Sequence, residues 1–265
     1  MIGQTKIIDK INSFSYIDLP CSTLLVGDRG SGKHAICNYM SNYYDVPLLD
    51  ISTEISKDKI DEIYTQSIPA IYVIDIALAS KSKKIVNLQN IILKFIEEPP
   101  ASCKIVILAE SKNQVLDTVL NRCQIWCLKK YSLEELRQFS EEFTDEELIL
   151  LSTPGNIKSI SHQVLTNINR LCDNIINNIN RAGISNTLSI ANKINFNNED
   201  KEDTFDLDIF LLCLRNKLSK TSYTEAFMLT KLMMENSRIF NINKRYLFEK
   251  YLLDLKEAFN ETRGI

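Results

Sequence analysis

Residues Leu24 to Lys33 read Leu-Leu-Val-Gly-Asp-Arg-Gly-Ser-Gly-Lys, an apolar run that breaks into Gly-x-x-x-x-Gly-Lys. The run has the continuous apolarity of a strand buried on both faces. The spacing after it is that of a loop whose glycines let backbone N–H groups wrap a phosphate at the start of a helix, with the lysine reaching the β- and γ-oxygens. Gly27, Gly30, Gly32 and Lys33 are therefore the candidate phosphate-binding residues; the plainer alternative is a tight turn. The next residue in such a loop should be Ser or Thr, whose hydroxyl ligates Mg²⁺. Here it is His34, which has no hydroxyl and whose imidazole suits a hard cation poorly. By position His34 borders the pocket; by chemistry it reads as a helix-surface histidine.

Similar apolar runs recur at Ser22–Val26, Pro47–Ile51, Ala70–Asp75, Lys104–Ala109 and Gln124–Leu128, alternating with amphipathic stretches such as Ile85–Glu98 and Gln114–Leu120. Alternation of this kind predicts a five-stranded parallel sheet covered by helices, within residues 1–130. Asp75 ends the third run, where a phosphate-loop ATPase holds its metal. A glutamate should follow to orient the attacking water, but Ile76 and Ala77 stand there. The expectation is a nucleotide pocket in outline, without metal and water machinery.

Beyond the sheet, Ser132-Leu-Glu-Glu135 and Thr144-Asp-Glu-Glu147 are capping boxes that open short helices, and a longer helix is predicted just after Pro154-Gly155. All six prolines lie at or before Pro154, and apolar residues then recur at helical spacing. Residues 131–190 are predicted to form a small helical domain, Asn197–Asp203 a polar linker, and 204–265 a third, all-helical unit. Phe210, Leu211, Leu214, Leu218 and Leu229 in that unit exceed what a small bundle needs and predict packing against neighbouring subunits.

A length of 265 residues fits one large domain or two to three small ones. With 45% hydrophobic and 25% charged residues the composition is that of a globular protein, which excludes disordered and fibrous classes. A net charge of −3 gives no overall basic footprint, so any nucleic-acid role must be local or shared with partners. The longest apolar run, Ile68–Ala79, is interrupted by Asp75 and too short to span a bilayer, and no signal-peptide stretch opens the chain; a cytoplasmic protein is expected. The seven cysteines contain no C-x-x-C pair and read as buried thiols, with no zinc site.

Two stretches carry a family resemblance. Ile92-Leu-Lys-Phe-Ile-Glu-Glu-Pro-Pro100 resembles the Leu-Leu-Lys-x-Leu-Glu-Glu-Pro-Pro signature of bacterial DNA polymerase III clamp-loader subunits. Leu120-Asn-Arg-Cys123 is similar to their Ser-Arg-Cys motif, with Asn121 in place of serine. Lys104–Leu108 matches their sensor-bearing strand, although Ala109-Glu110-Ser111 replaces the usual threonine-containing turn. The family's zinc module is missing, since no cysteine lies between Cys37 and Cys103. The resemblance implies an α/β AAA+ phosphate-loop module (1–130), an all-α lid (131–190) and a short all-α collar (204–265) that assembles a pentameric loader. Within the family, gamma/tau subunits keep a full ATPase site, whereas the delta-prime subunit has lost it and keeps the arginine; this chain resembles delta-prime. What the resemblance implies is a subunit that helps load a sliding clamp onto primer–template DNA during replication. It would not hydrolyse ATP itself but would offer Arg122 as an arginine finger in trans. Gamma/tau-type ATPase subunits, a delta-type subunit and the sliding clamp are the implied partners, with ATP at a degenerate site and Mg²⁺ poorly provided for. Lys158 in Gly155-Asn-Ile-Lys158 falls where the family has its second-sensor arginine. The alternatives are an active gamma/tau-like ATPase and a nucleotide-independent AAA+ adaptor outside replication. Taken alone, Glu97-Glu98-Pro99-Pro100 does no more than end a helix, and Arg122 is an ordinary surface ion-pair partner.

Overall fold

The computed structural model describes residues 2–66, 68–76, 85–100, 102–196, 204–237 and 243–261; Ala77 and the polar run 197–203 lie outside them. The described residues fall into two compact units, Met1–Gln138 with Thr153–Gly155, and Phe139–Ser152 with Asn156–Ile265. The sequence boundaries at 130 and between 190 and 204 thus stand beside a structural division at Gln138.

In the first unit, helix α1 (Thr5–Asn12) precedes strand β1 (Ser22–Val26), helix α2 (Lys33–Tyr44), β2 (Leu48–Asp50), α3 (Lys57–Gln66), β3 (Ala70–Asp75), α4 (Ile85–Glu97), β4 (Cys103–Ala109), α5 (Asp117–Leu120) and β5 (Gln124–Cys127). The strands pair in parallel in the order β2-β3-β4-β1-β5. This is the five-stranded parallel α/β sheet expected from the sequence, followed by helices. Side chains alternate across the pleat, so neighbours in sequence feed opposite faces. Leu24, Ile74 and Ile107 join Ile92, Phe95 and Val119 in one core. Leu25, Val73 and Val106 join Ile36, Met40 and Trp126 in the other. Both faces are covered, which is why the strands read as unbroken apolar runs. The helix expected over 114–120 is shorter: Lys112–Gln114 forms a 3-10 turn capped by the Ser111 hydroxyl, Val115 is extended, and α5 begins at Asp117.

Gln4 closes this unit back on itself. Its amide donates to the Lys129 carbonyl at 2.9 Å and accepts from the Lys129 N–H at 3.0 Å, pinning the start of the chain to the strand exit.

The second unit is helical: α7 (Asp145–Leu151), α9 (His162–Asn178), α10 (Ile184–Ser189), α11 (Leu207–Leu218), α12 (Thr224–Asn236) and α13 (Lys244–Glu261), with a two-residue strand pair at Ile194–Asn195 and Phe205–Asp206. Helix α6 (Leu133–Arg137) belongs to the first unit, and α8 (Pro154–Ser159) begins there. Both capping boxes form: Ser132 and Thr144 accept the N–H of Glu135 and Glu147, whose carboxylates reach back to the cap N–H groups. The longer helix predicted after Pro154-Gly155 is instead two. Helix α8 stops at Ser159, and Ser161 accepts the Val164 N–H to cap a fresh start at His162.

Two expectations about individual side chains are corrected here. Phe210, Leu211, Leu214 and Leu218 are fully buried within their own unit, where Phe210 meets Phe248 edge to face, so they are core and not a face for neighbours. Four cysteines are buried, but Cys21 and Cys127 are exposed because they flank strand ends. Among the described residues no helix is long and apolar enough to cross a membrane.

Candidate functional site

The phosphate loop joins β1 to α2 and is built as its glycines predict. Gly30 and Gly32 adopt φ of +75° and +95°, left-handed conformations that side chains resist, and Gly32 is the residue that leads into α2. Lys33 is buried and folds back over the loop, its Nζ donating to the Gly27 and Asp28 carbonyls at 2.6 and 3.0 Å. Burial pushes its ammonium below the usual lysine range, while the nearby carboxylates of Glu110, Asp75 and Asp28 pull the other way. Ser31 Oγ is buried with no hydrogen-bond partner. An orphan hydroxyl is costly and would be relieved by a phosphate oxygen, so the cradle fits a phosphate.

The metal half does not fit. His34, on the first turn of α2, sets its Nε2 at 3.7 Å from Asp50 Oδ2 and 3.8 Å from Asp75 Oδ2. Its ring is half-exposed, as the sequence suggests, yet it stands between the two carboxylates that end β2 and β3. Asp50 is fixed there by Ser52, whose N–H donates to its Oδ1 at 2.9 Å, and Ser52 Oγ accepts the Asp75 N–H at 2.8 Å. An imidazole takes the place of a hydroxyl ligand, and no group of three His, Cys, Asp or Glu side chains among the described residues is arranged to hold a metal ion. Ile76, in the position of the water-orienting glutamate, has 0% exposure and is part of the core. The turn beyond β4 carries Glu110, whose N–H donates to Gln114 Oε1 at 3.0 Å.

Two loop contacts have little sequence signal. Gly155 donates its N–H to the Gly30 carbonyl at 2.9 Å, and a Cβ there would meet the Gly30 carbonyl oxygen and carbon at 3.0 and 3.1 Å and the Gly30 Cα closer still. Tyr131 donates its hydroxyl to the Ser31 carbonyl at 2.8 Å. Gly155 is legible only as a rare glycine after the last proline; nothing local marks Tyr131 or Asp50. Lys158 belongs to the second unit, where its ammonium lies over the Phe139 ring at 5.5 Å.

Arg122 lies at the other end of the sheet. It precedes β5, and the register Thr23↔Gln124 sets it level with Cys21, ahead of β1, whereas the phosphate loop follows β1. At about 3.3 Å per residue that is roughly 20 Å from Gly27, beyond the reach of any side chain. Its Nε pairs with Glu97 Oε1 at the end of α4, and its Nη1 donates to the Thr118 carbonyl at 2.8 Å. The structure therefore joins the two stretches that carry the resemblance, and keeps both apart from Gly27, Gly30, Gly32, Lys33, His34 and Asp75.

Residues 50–132 match the model of a family described as DNA polymerase III, delta subunit. The match is under a third of the chain; it starts after the phosphate loop and includes both Glu97 and Arg122. No curated protein sequence matches significantly. Similar solved structures include the RuvB Holliday junction branch migration motor of Thermotoga maritima, at 15% identity over 99% of this chain and 88% of that one, with a TM-score of 0.48. A DNA polymerase III gamma subunit-related protein of Thermotoga maritima is similar at 16% identity over 97% of this chain and 99% of that one, with a TM-score of 0.47. At such distances the fold rests on the chain's own sheet order.

Proposed function

We propose that this chain is a clamp-loader subunit of the delta-prime type. It acts with gamma/tau-type ATPase subunits and a delta-type subunit, in the cytoplasm, to place a sliding clamp on primer–template DNA. It hydrolyses no ATP itself and supplies Arg122 to a nucleotide held by a neighbour. The observation that carries this reading is the placement of two half-sites at opposite ends of one sheet. At one end is a phosphate loop with His34 and Ile76 where metal and water chemistry need other groups. At the other is an arginine too far away to serve that loop. A guanidinium suits the γ-phosphoryl oxygens because its planar charge matches the negative charge that builds as the bond breaks. The lid and collar, with Lys158 in the lid, are part of this reading.

Lys33 and the loop glycines keep the geometry of a working phosphate site, which favours one competing reading, an active gamma/tau-like ATPase. Steady-state hydrolysis separates the two. The purified chain with Mg²⁺ and ATP should turn over no faster than a Lys33→Ala variant. A clear Lys33-dependent rate would replace the scaffold reading with the ATPase one.

A further inference from the structure

We infer that Glu97 is a positioning residue for Arg122, holding its guanidinium ready for an anionic phosphoryl group brought by a neighbouring subunit; the inference rests on the in-trans role proposed above. Glu97 is the last residue of α4, and Pro99-Pro100 prevents that helix from continuing, so the carboxylate is presented at a fixed helix end. Arg122 Nε pairs with its Oε1, and Nη1 donates to the Thr118 carbonyl at 2.8 Å. A guanidinium has five N–H donors in a rigid plane. Two contacts from within the chain, an ion pair at Nε and a hydrogen bond from Nη1, hold that plane in one orientation and leave donors for a partner from outside. The side chains are 38% and 42% exposed, so the pair lies at the surface, where an ion pair adds little to stability. Its contribution is orientation: a long, flexible side chain is set before the neighbour's phosphate arrives. Glu97 touches no reacting atom and acts only through Arg122.

The test uses a loader reconstituted from this chain with its host's gamma/tau-type ATPase, delta-type subunit and clamp, with primer–template DNA and ATP. Five chains are compared: unaltered, Glu97→Gln, Glu97→Asp, Arg122→Ala and the Glu97→Gln/Arg122→Ala double variant. Glu97→Gln should lower kcat about tenfold, which is about 1.4 kcal/mol of barrier, with KM for ATP and subunit assembly unchanged. Glu97→Asp, which keeps the charge on a shorter arm, should recover part of that loss. The double variant should be no slower than Arg122→Ala alone. If Arg122→Ala itself has no effect, the in-trans reading fails and the inference with it. If Arg122→Ala slows the loader while Glu97→Gln runs at the unaltered rate, the inference alone is overturned. A faster Glu97→Gln loader would overturn it too, by marking Glu97 as a competitor for the arginine. So would losses that add in the double variant, or assembly lost in both Glu97 variants.

Discussion

Replacing Gly155 by alanine opposes two physical effects of known sign. Gly155 lies in the first turn of α8, and in an exposed helix Gly→Ala stabilises by up to about 1 kcal/mol. Here the new methyl would meet the Gly30 carbonyl oxygen at 3.0 Å and its carbon at 3.1 Å, with the Cα nearer than either. These are backbone atoms of a loop fixed by left-handed glycines and by the Lys33 ammonium, so no side chain can swing aside. Overpacking of this kind costs about 1–3 kcal/mol, and losing the 2.9 Å Gly155–Gly30 hydrogen bond adds roughly 0.5–1.5 kcal/mol. The net expectation is a destabilisation of about 1–3 kcal/mol, which at roughly 2–4 °C per kcal/mol lowers the melting temperature by about 2–12 °C. Thermal melts give the shift, and amide hydrogen exchange locates it, since the Gly27–Lys33 amides should lose protection first. A Gly155→Ala protein as stable as the original, with loop protection unchanged, would show that the close approach of Gly155 to Gly30 contributes nothing and that helix propensity decides the position.

Other perturbations follow from single contacts. Ser132→Ala and Thr144→Ala each remove the hydroxyl of a formed capping box, and each should cost about 1 kcal/mol in chemical denaturation, with little change from neighbouring exposed substitutions. In the folded protein at neutral pH, a thiol reagent should modify Cys21 and Cys127 quickly and the buried Cys37, Cys103, Cys172 and Cys213 only on unfolding. Burial pushes the Cys37 and Cys123 thiols up to about 12 from a usual 9.0. Above about pH 9 the unfolded chain therefore releases protons that the folded chain keeps. Their contribution is whole below pH 9 and is lost as pH rises toward 12, so denaturant midpoints should fall across that window. A midpoint that rises from pH 9 to 11 would contradict the burial of these thiols.

Wherever local rules were sufficient, the amino-acid order alone determined the element. The central strands β1, β3 and β4 were legible because both faces are buried, so Ala70–Asp75 and its partners carry no polar alternation. The capping boxes at Ser132 and Thr144 were legible because each closes within four residues. The phosphate loop was legible because only glycine tolerates the backbone of Gly30 and Gly32. What the sequence could not determine were relations across long stretches of chain. Phe210 and Leu214 read equally well as core or as interface, because hydrophobic spacing marks a buried face without saying what buries it. His34 read as a surface histidine because Asp50 and Asp75 come within 4 Å of it only when β2 and β3 lie side by side. Gly155 and Gly30 are far apart in the chain, and Glu97 ends α4 while Arg122 lies in the turn between α5 and β5; only the tertiary packing brings each pair together. Contacts of this kind depend on where elements pack rather than on what they are, and packing is decided by the whole chain at once.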